Sequence, residues 1–161
     1  MNLKDILLLR WEQINKDSIK FVRAKTQRTT KERQTEIVVY LNDFSSSILK
    51  KHGSRNKLKK NLVFDILNDK MTNEEKHRAI KNFIRYINQH MKKLAKDNKL
   101  PEDISTYYAR HSFATTVIND GASMEFAMEA LGHTDMSTTK AYFAGFEDDE
   151  KKQIAKNLMK F

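Results

Sequence analysis

Three side chains in this sequence, Arg110, His133 and Tyr142, have types and spacing that suit attack on a phosphodiester. They lie in STYYARHSFATTVINDGASMEFAMEALGHTDMSTTKAYF, with 23 positions from the arginine to the histidine and 9 from the histidine to the tyrosine. A phosphodiester carries one negative charge, and in-line attack by a hydroxyl adds charge to its non-bridging oxygens. The chemistry therefore needs cations and N–H donors aimed at those oxygens. Arg110 offers a planar fork of donors that suits two phosphate oxygens at once. His133 brings an imidazole, the side chain type whose ordinary titration lies nearest neutrality. Tyr142 brings a hydroxyl nucleophile that attacks only when cations or a base assist its deprotonation, because a free tyrosine titrates near pH ~10.

The elements that must position these groups follow from punctuation and periodicity. Residues 106–119 read as a helix stopped by Gly121. Ser123 caps a second, MEFAMEAL, stopped by Gly132 immediately before His133, and Asp135 or Ser137 caps a third that carries Tyr142. Upstream, Leu3, Ile6, Leu7 and Leu9 open the chain with helical spacing, and residues 18–23 and 35–40 read as two strands of a hairpin or small antiparallel sheet. Asn42 or Asp43 caps a helix that ends near Gly53, and a basic loop and a short apolar run, LVFDIL, come next. The longest periodic signal spans residues 73–97, where Ile80, Phe83, Ile84, Ile87, Met91, Leu94 and Ala95 form one apolar stripe assigned to the core. A tail over residues 147–161 places Ile154, Leu158 and Phe161 on one side.

With 161 residues and 39% hydrophobic content, the chain can bury a real core. It carries 30 Lys and Arg against 21 Asp and Glu, a formal charge of +9, which fits either a polyanionic partner or a plain solvated basic surface. The absence of cysteine excludes disulfides, thiol nucleophiles and thiolate metal sites. His52, His77 and His90 are scattered without ligand spacing, so no metal is assigned. The charged opening MNLKDILLLRW is neither a secretory signal nor a membrane span, which leads to a soluble, cytoplasmic expectation with no membrane partner.

ARHSFAT around Arg110, LGHTDMSTTKAY ending at Tyr142, the KT pair at Lys25 and Thr26, and the opening helix followed by LLLRW occur in an order and spacing that resembles the catalytic domain of tyrosine recombinases, the phage integrase family. The resemblance covers nearly the whole chain. It implies an α+β, mostly helical fold, the tyrosine-recombinase catalytic fold, with a small antiparallel β-hairpin or sheet near the N-terminus. Residues 1–161 would then be a catalytic-domain fragment that lacks the N-terminal core-binding domain. The implied activity is metal-independent breakage and rejoining of DNA, with no cofactor, through a 3′-phosphotyrosyl link at Tyr142 and a free 5′-hydroxyl. Arg110 and His133 would hold the phosphate, and Lys25 would protonate the expelled sugar oxygen.

Two positions depart from the family's pattern. Asn2 stands where the first catalytic arginine belongs, three residues before Asp5, and Tyr107 stands where a histidine belongs, three residues before Arg110. Loss of one oxyanion donor costs about 2.7–4 kcal/mol. Arg23 or Arg28 could replace the missing charge, and the Tyr107 hydroxyl could still donate to a phosphate oxygen. The same pair of departures resembles a subgroup of integrases from mobile elements.

The expected partner is double-stranded DNA, contacted by the hairpin cations Arg23, Arg28 and Lys31 and by the loop from Lys50 to Lys60. On DNA the family resemblance implies a homotetramer, with a monomer as the state of an isolated fragment. The reading that follows is a site-specific recombinase or integrase of a mobile element. The alternatives are a housekeeping Xer-like recombinase or type IB topoisomerase-like activity, and a non-catalytic DNA-binding module. Single residues keep simpler roles, Lys25 as a phosphate contact and His133 as a helix C-cap, while the tail either docks on a neighbouring protomer or folds back on its own domain. His111, one step from Arg110, is expected to point to another face as a buried, hydrogen-bonded histidine.

Overall fold

The computed structural model describes residues 1–25, 36–101, 103–143, 145–146 and 148–157. The chain forms two compact units, Met1–Thr106 and Tyr107–Phe161. Among the described residues the architecture is mostly helical with one small antiparallel sheet, as expected.

In the first unit, helix α1 (Leu3–Leu7) buries Leu7 and Asp5. Burial of a carboxylate requires a donor, and Asp5 Oδ1 accepts the backbone N–H of Ala24 at 3.0 Å. Strands β1 (Ser18–Phe21) and β2 (Ile37–Tyr40) pair antiparallel with Ser18 opposite Tyr40 and Phe21 opposite Ile37. Both are shorter at the hairpin end than the sequence suggested, and Thr26, Arg28 and Lys31 lie outside the described residues. Ile19, Phe21 and Ile37 form one core cluster with Leu9 and Val63.

Helix α2 (Asp43–His52) takes Asn42 as its cap, with Asn42 Oδ1 accepting Ser45 N–H at 2.8 Å, and it ends at Gly53. The run LVFDIL makes neither helix nor strand. It is core all the same, because Val63 donates its N–H to Leu9 O at 2.8 Å while Leu62, Val63 and Leu67 are buried.

Helix α3 (Asn73–Asp97) opens with a capping box: Glu75 N–H donates to Thr72 Oγ1 at 3.2 Å, and Thr72 N–H donates to Glu75 Oε2 at 2.7 Å. Its stripe packs at the N-terminal half, where Ile80, Phe83 and Ile84 meet Leu7, Leu62 and Leu67. Farther along Ala95 is buried but Leu94 is 64% exposed, which corrects its assignment to the core.

The second unit holds α4 (Tyr108–Asn119), α5 (Met124–Leu131), α6 (Met136–Lys140) and α7 (Asp148–Asn157). Helix α4 starts two residues later than predicted, with Tyr107 as its cap residue. Gly121, at φ 92°, turns the chain toward α5, whose cap Ser123 accepts Phe126 N–H at 3.1 Å. Gly132 ends α5 in the left-handed region at φ 63°, where a Cβ is unfavourable. That turn lets His133 N–H close onto Met128 O at 3.0 Å. Asp135 caps α6 through Ser137 N–H at 2.6 Å. Contrary to expectation, α6 ends before Tyr142, which sits in the turn beyond it with its N–H on Thr139 O at 2.9 Å. The side chains of Ile154, Leu158 and Phe161, expected to form the tail's apolar side, lie outside the described part.

Candidate active site

One face of α4 builds the site. Positions 107, 110, 111 and 114 recur at helical spacing, so Tyr107, Arg110, His111 and Ala114 share a side even though Arg110 and His111 are adjacent in sequence. Arg110 is 6% exposed. A buried guanidinium needs acceptors, and its Nη2 donates to Leu131 O at 2.9 Å, a carbonyl at the C-terminal end of α5. Helix carbonyl ends carry partial negative charge and favour a cation.

Arg110 Nη2 also lies 2.9 Å from His133 Nε2. Guanidinium nitrogens only donate, so Nε2 must accept and His133 carries its proton on Nδ1. That N–H then donates to Thr139 Oγ1 at 3.0 Å, on a side chain with 0% exposure. Leu131 carbonyl, Arg110, His133 and Thr139 thus form one directed chain of hydrogen bonds, which sets the imidazole's tautomer and plane.

Tyr142 is 8% exposed and packs with Ala114 and Leu131 in the small core of this unit. Its ring is surrounded by those of His111, His133 and Tyr107, with centroids 4.5, 5.0 and 5.5 Å away, and by the Arg110 guanidinium, whose Cζ lies 5.6 Å from the ring centroid. Its hydroxyl is hydrogen-bonded to that of Tyr107, itself 53% exposed. Burial, with the Tyr107 hydroxyl adding to it, pushes the Tyr142 pKa above the ordinary tyrosine value, and Arg110 opposes the rise. At neutral pH the hydroxyl is therefore protonated. An incoming phosphate oxygen would give Arg110 an anionic acceptor in place of His133 Nε2, leaving that nitrogen able to bind a proton and donate in turn.

Of the residues singled out in the sequence, Tyr107, Arg110, His133 and Tyr142 are brought together here. Asn2, Arg23 and Lys25 belong to the first unit: Asn2 is the half-buried cap residue of α1, Arg23 is half-buried, and Lys25 is exposed in the turn after β1. Asp5 holds the backbone at Ala24, next to Lys25. The sequence reading missed Thr139, although the paired threonines before the tyrosine were the signal that could have found it. It also placed His111 on another face, whereas the imidazole stacks on Tyr142, because a helix face spans the i, i+3, i+4 and i+7 positions and so includes both neighbours. Among the described residues no group of His, Asp and Glu is arranged to hold a metal ion. None of the described helices is long and apolar enough to cross a membrane.

Residues 1–148 match the sequence model of the phage integrase family, and the chain belongs to that family. A segment of 52 residues is 40% identical to tyrosine recombinase XerD of Listeria monocytogenes, covering 32% of this chain and 18% of that protein. Two solved structures share the fold: the XerA recombinase, with a TM-score of 0.63 and 15% identity over 99% of this chain and 54% of that one, and the Tn1549 transposon integrase in complex with transposon right end DNA, with a TM-score of 0.61 and 14% identity over 98% and 55%. The chain spans about half the length of these two structures.

Proposed function

We propose that this chain is the catalytic domain, residues 1–161, of a longer site-specific DNA recombinase of a mobile element. The observation that carries the reading is the enclosure of Tyr142 by Arg110 and His133 within one small helical unit. Arg110 and His133 hold the non-bridging oxygens of a scissile phosphodiester. The Tyr142 oxygen bonds to phosphorus, the bond to the 5′-oxygen breaks, and a 3′-phosphotyrosyl link forms. The Tyr142 proton leaves through the exposed Tyr107 hydroxyl to water, and Lys25 protonates the departing 5′-oxygen. Attack by another strand's 5′-hydroxyl reverses the step, so neither metal nor cofactor is required. Asn2 supplies a neutral donor where a charge is usual, and the hairpin cations Arg23, Arg28 and Lys31 contact the duplex.

In this reading the partner is double-stranded DNA, the assembly on DNA is a homotetramer, the isolated fragment is a monomer, and the location is the cytoplasm. A mobile-element role is favoured by the departures at Asn2 and Tyr107. A housekeeping Xer-type role is the second reading, favoured by the 40% identical XerD segment. The test is a pool of duplexes randomised around a nick, incubated with the full-length protein. A protein–DNA band that survives denaturation is the expected result. Retention of DNA by an intact protein without any such band would reduce the chain to a binding module. Sequences recovered from the band separate the two recombinase readings: the ends of a mobile element support the first, and a chromosomal site shared by replicons supports the second.

A further inference from the structure

We propose that His111 is a positioning residue for the nucleophile, a stacking platform that fixes the Tyr142 ring. The proposal rests on the reading of Tyr142 as nucleophile and adds a residue to that site. Tyr142 follows the end of α6 in a turn, and Gly145, at φ 101°, follows three residues later. Backbone held by a five-residue helix and a glycine turn leaves ring orientation to side-chain contacts. Of the rings around Tyr142, His111 is nearest, at 4.5 Å, and closest to parallel, at 27°. His133 and Tyr107 meet the ring at 40° and 42°, and both have hydrogen bonds to serve, His133 to Arg110 and Thr139, Tyr107 to the Tyr142 hydroxyl.

His111 also sits edge-on to Tyr107, at 5.7 Å and 61°, so one imidazole braces both members of the hydroxyl pair. It projects from the same helix as Arg110, one residue away, and Ala114 one turn later closes the floor beneath Tyr142. The phosphate-binding cation and the support of the nucleophile are therefore carried on a single rigid element. Reaction rate depends steeply on the alignment of the attacking atom, and rigid helices hold such alignment better than loops.

The test compares His111→Ala with His111→Phe, which keeps a ring of similar reach. The full-length protein is used with the nicked, randomised duplex pool, alongside ¹⁹F spectra of 3-fluorotyrosine-labelled protein in which the Tyr142 line is identified by its loss in Tyr142→Phe. Aromatic pairs stabilise by an amount equivalent to roughly two- to tenfold. The expected result for His111→Ala is unchanged retention of DNA, slower formation of the covalent band by about that factor, and a shifted, broadened Tyr142 line. His111→Phe should restore both the rate and the narrow line. A wild-type rate and line in His111→Ala would overturn the proposal, as would failure of His111→Phe to recover either. If the wild type formed no covalent band, the recombinase reading would fall, and the ¹⁹F line alone would still decide whether His111 fixes the ring.

Discussion

Replacing Thr139 by valine would remove one oxygen from a side chain with no exposure while keeping its shape. The lost oxygen is the acceptor of His133 Nδ1–H at 3.0 Å. A buried donor left without its acceptor costs about 1–3 kcal/mol, and for a chain of this size each kcal/mol lowers the melting temperature by roughly 2–4 °C. The Arg110 Nη2 donor at 2.9 Å still holds Nε2 as the acceptor, so the proton stays on Nδ1, where valine leaves it without a partner.

Thr139→Ser keeps the acceptor and loses one methyl group, worth about 0.8 kcal/mol of burial. The assay is urea denaturation of the two variants together with ¹⁵N spectra of the histidine side chains, the His133 signals being identified with His133→Gln. Wild type and both variants should show an unprotonated Nε2, and Thr139→Val should lose more stability than Thr139→Ser because only valine leaves Nδ1–H unpaired. Wild-type stability in Thr139→Val, or a wild-type His133 that carries its proton on Nε2, would refute the directed chain of hydrogen bonds.

Four further outcomes follow from the same region of the structure. Tyr107→Phe removes one of the two causes that raise the Tyr142 pKa while leaving burial, the larger, in place. The Tyr142 phenolate, followed by ultraviolet absorbance, should therefore titrate lower than in the wild type. Because the folded pKa exceeds the unfolded one, the stability Tyr142 carries is complete below about pH 10 and lost as pH rises through the raised value. That alkaline loss should flatten in Tyr142→Phe when stability is followed by denaturation against pH. Gly132→Ala forces a side chain into the left-handed turn at φ 63° and should destabilise the chain by about 1–2 kcal/mol in the same denaturation assay. Arg110→Lys keeps a charge but loses the fork, and covalent-band formation should slow by about 100- to 1000-fold.

Helix α3 and helix α5 were legible in the sequence to the residue, α3 from its apolar stripe and α5 from Ser123 and Gly132 on either side. Those signals act within a turn or two of chain, so a sequence carries them openly. Arg110, His133 and Tyr142 stood out as a set because their types and order suit one reaction, and the structure brings them together. Their partners were not, for a physical reason. Thr139 looks like any helix-forming threonine until burial removes water and obliges His133 to use it. His111 changes role with a small rotation of the helix face, and adjacency in sequence hides that both neighbours can line one site. The run LVFDIL has no period because it crosses the core as irregular chain, satisfied by Leu9 and Ser54 rather than by its own neighbours. The end of α6 before Tyr142 likewise depends on how the turn packs, not on any breaker residue.

The proposed joining of the Tyr142 oxygen to DNA is read by mass spectrometry of the adduct after nuclease and trypsin digestion. The expected product is a nucleotide joined through its 3′-phosphate to Tyr142, in the peptide that follows Lys140. Attachment at Tyr107 or Tyr108 instead, or a covalent band that persists in Tyr142→Phe, would contradict it.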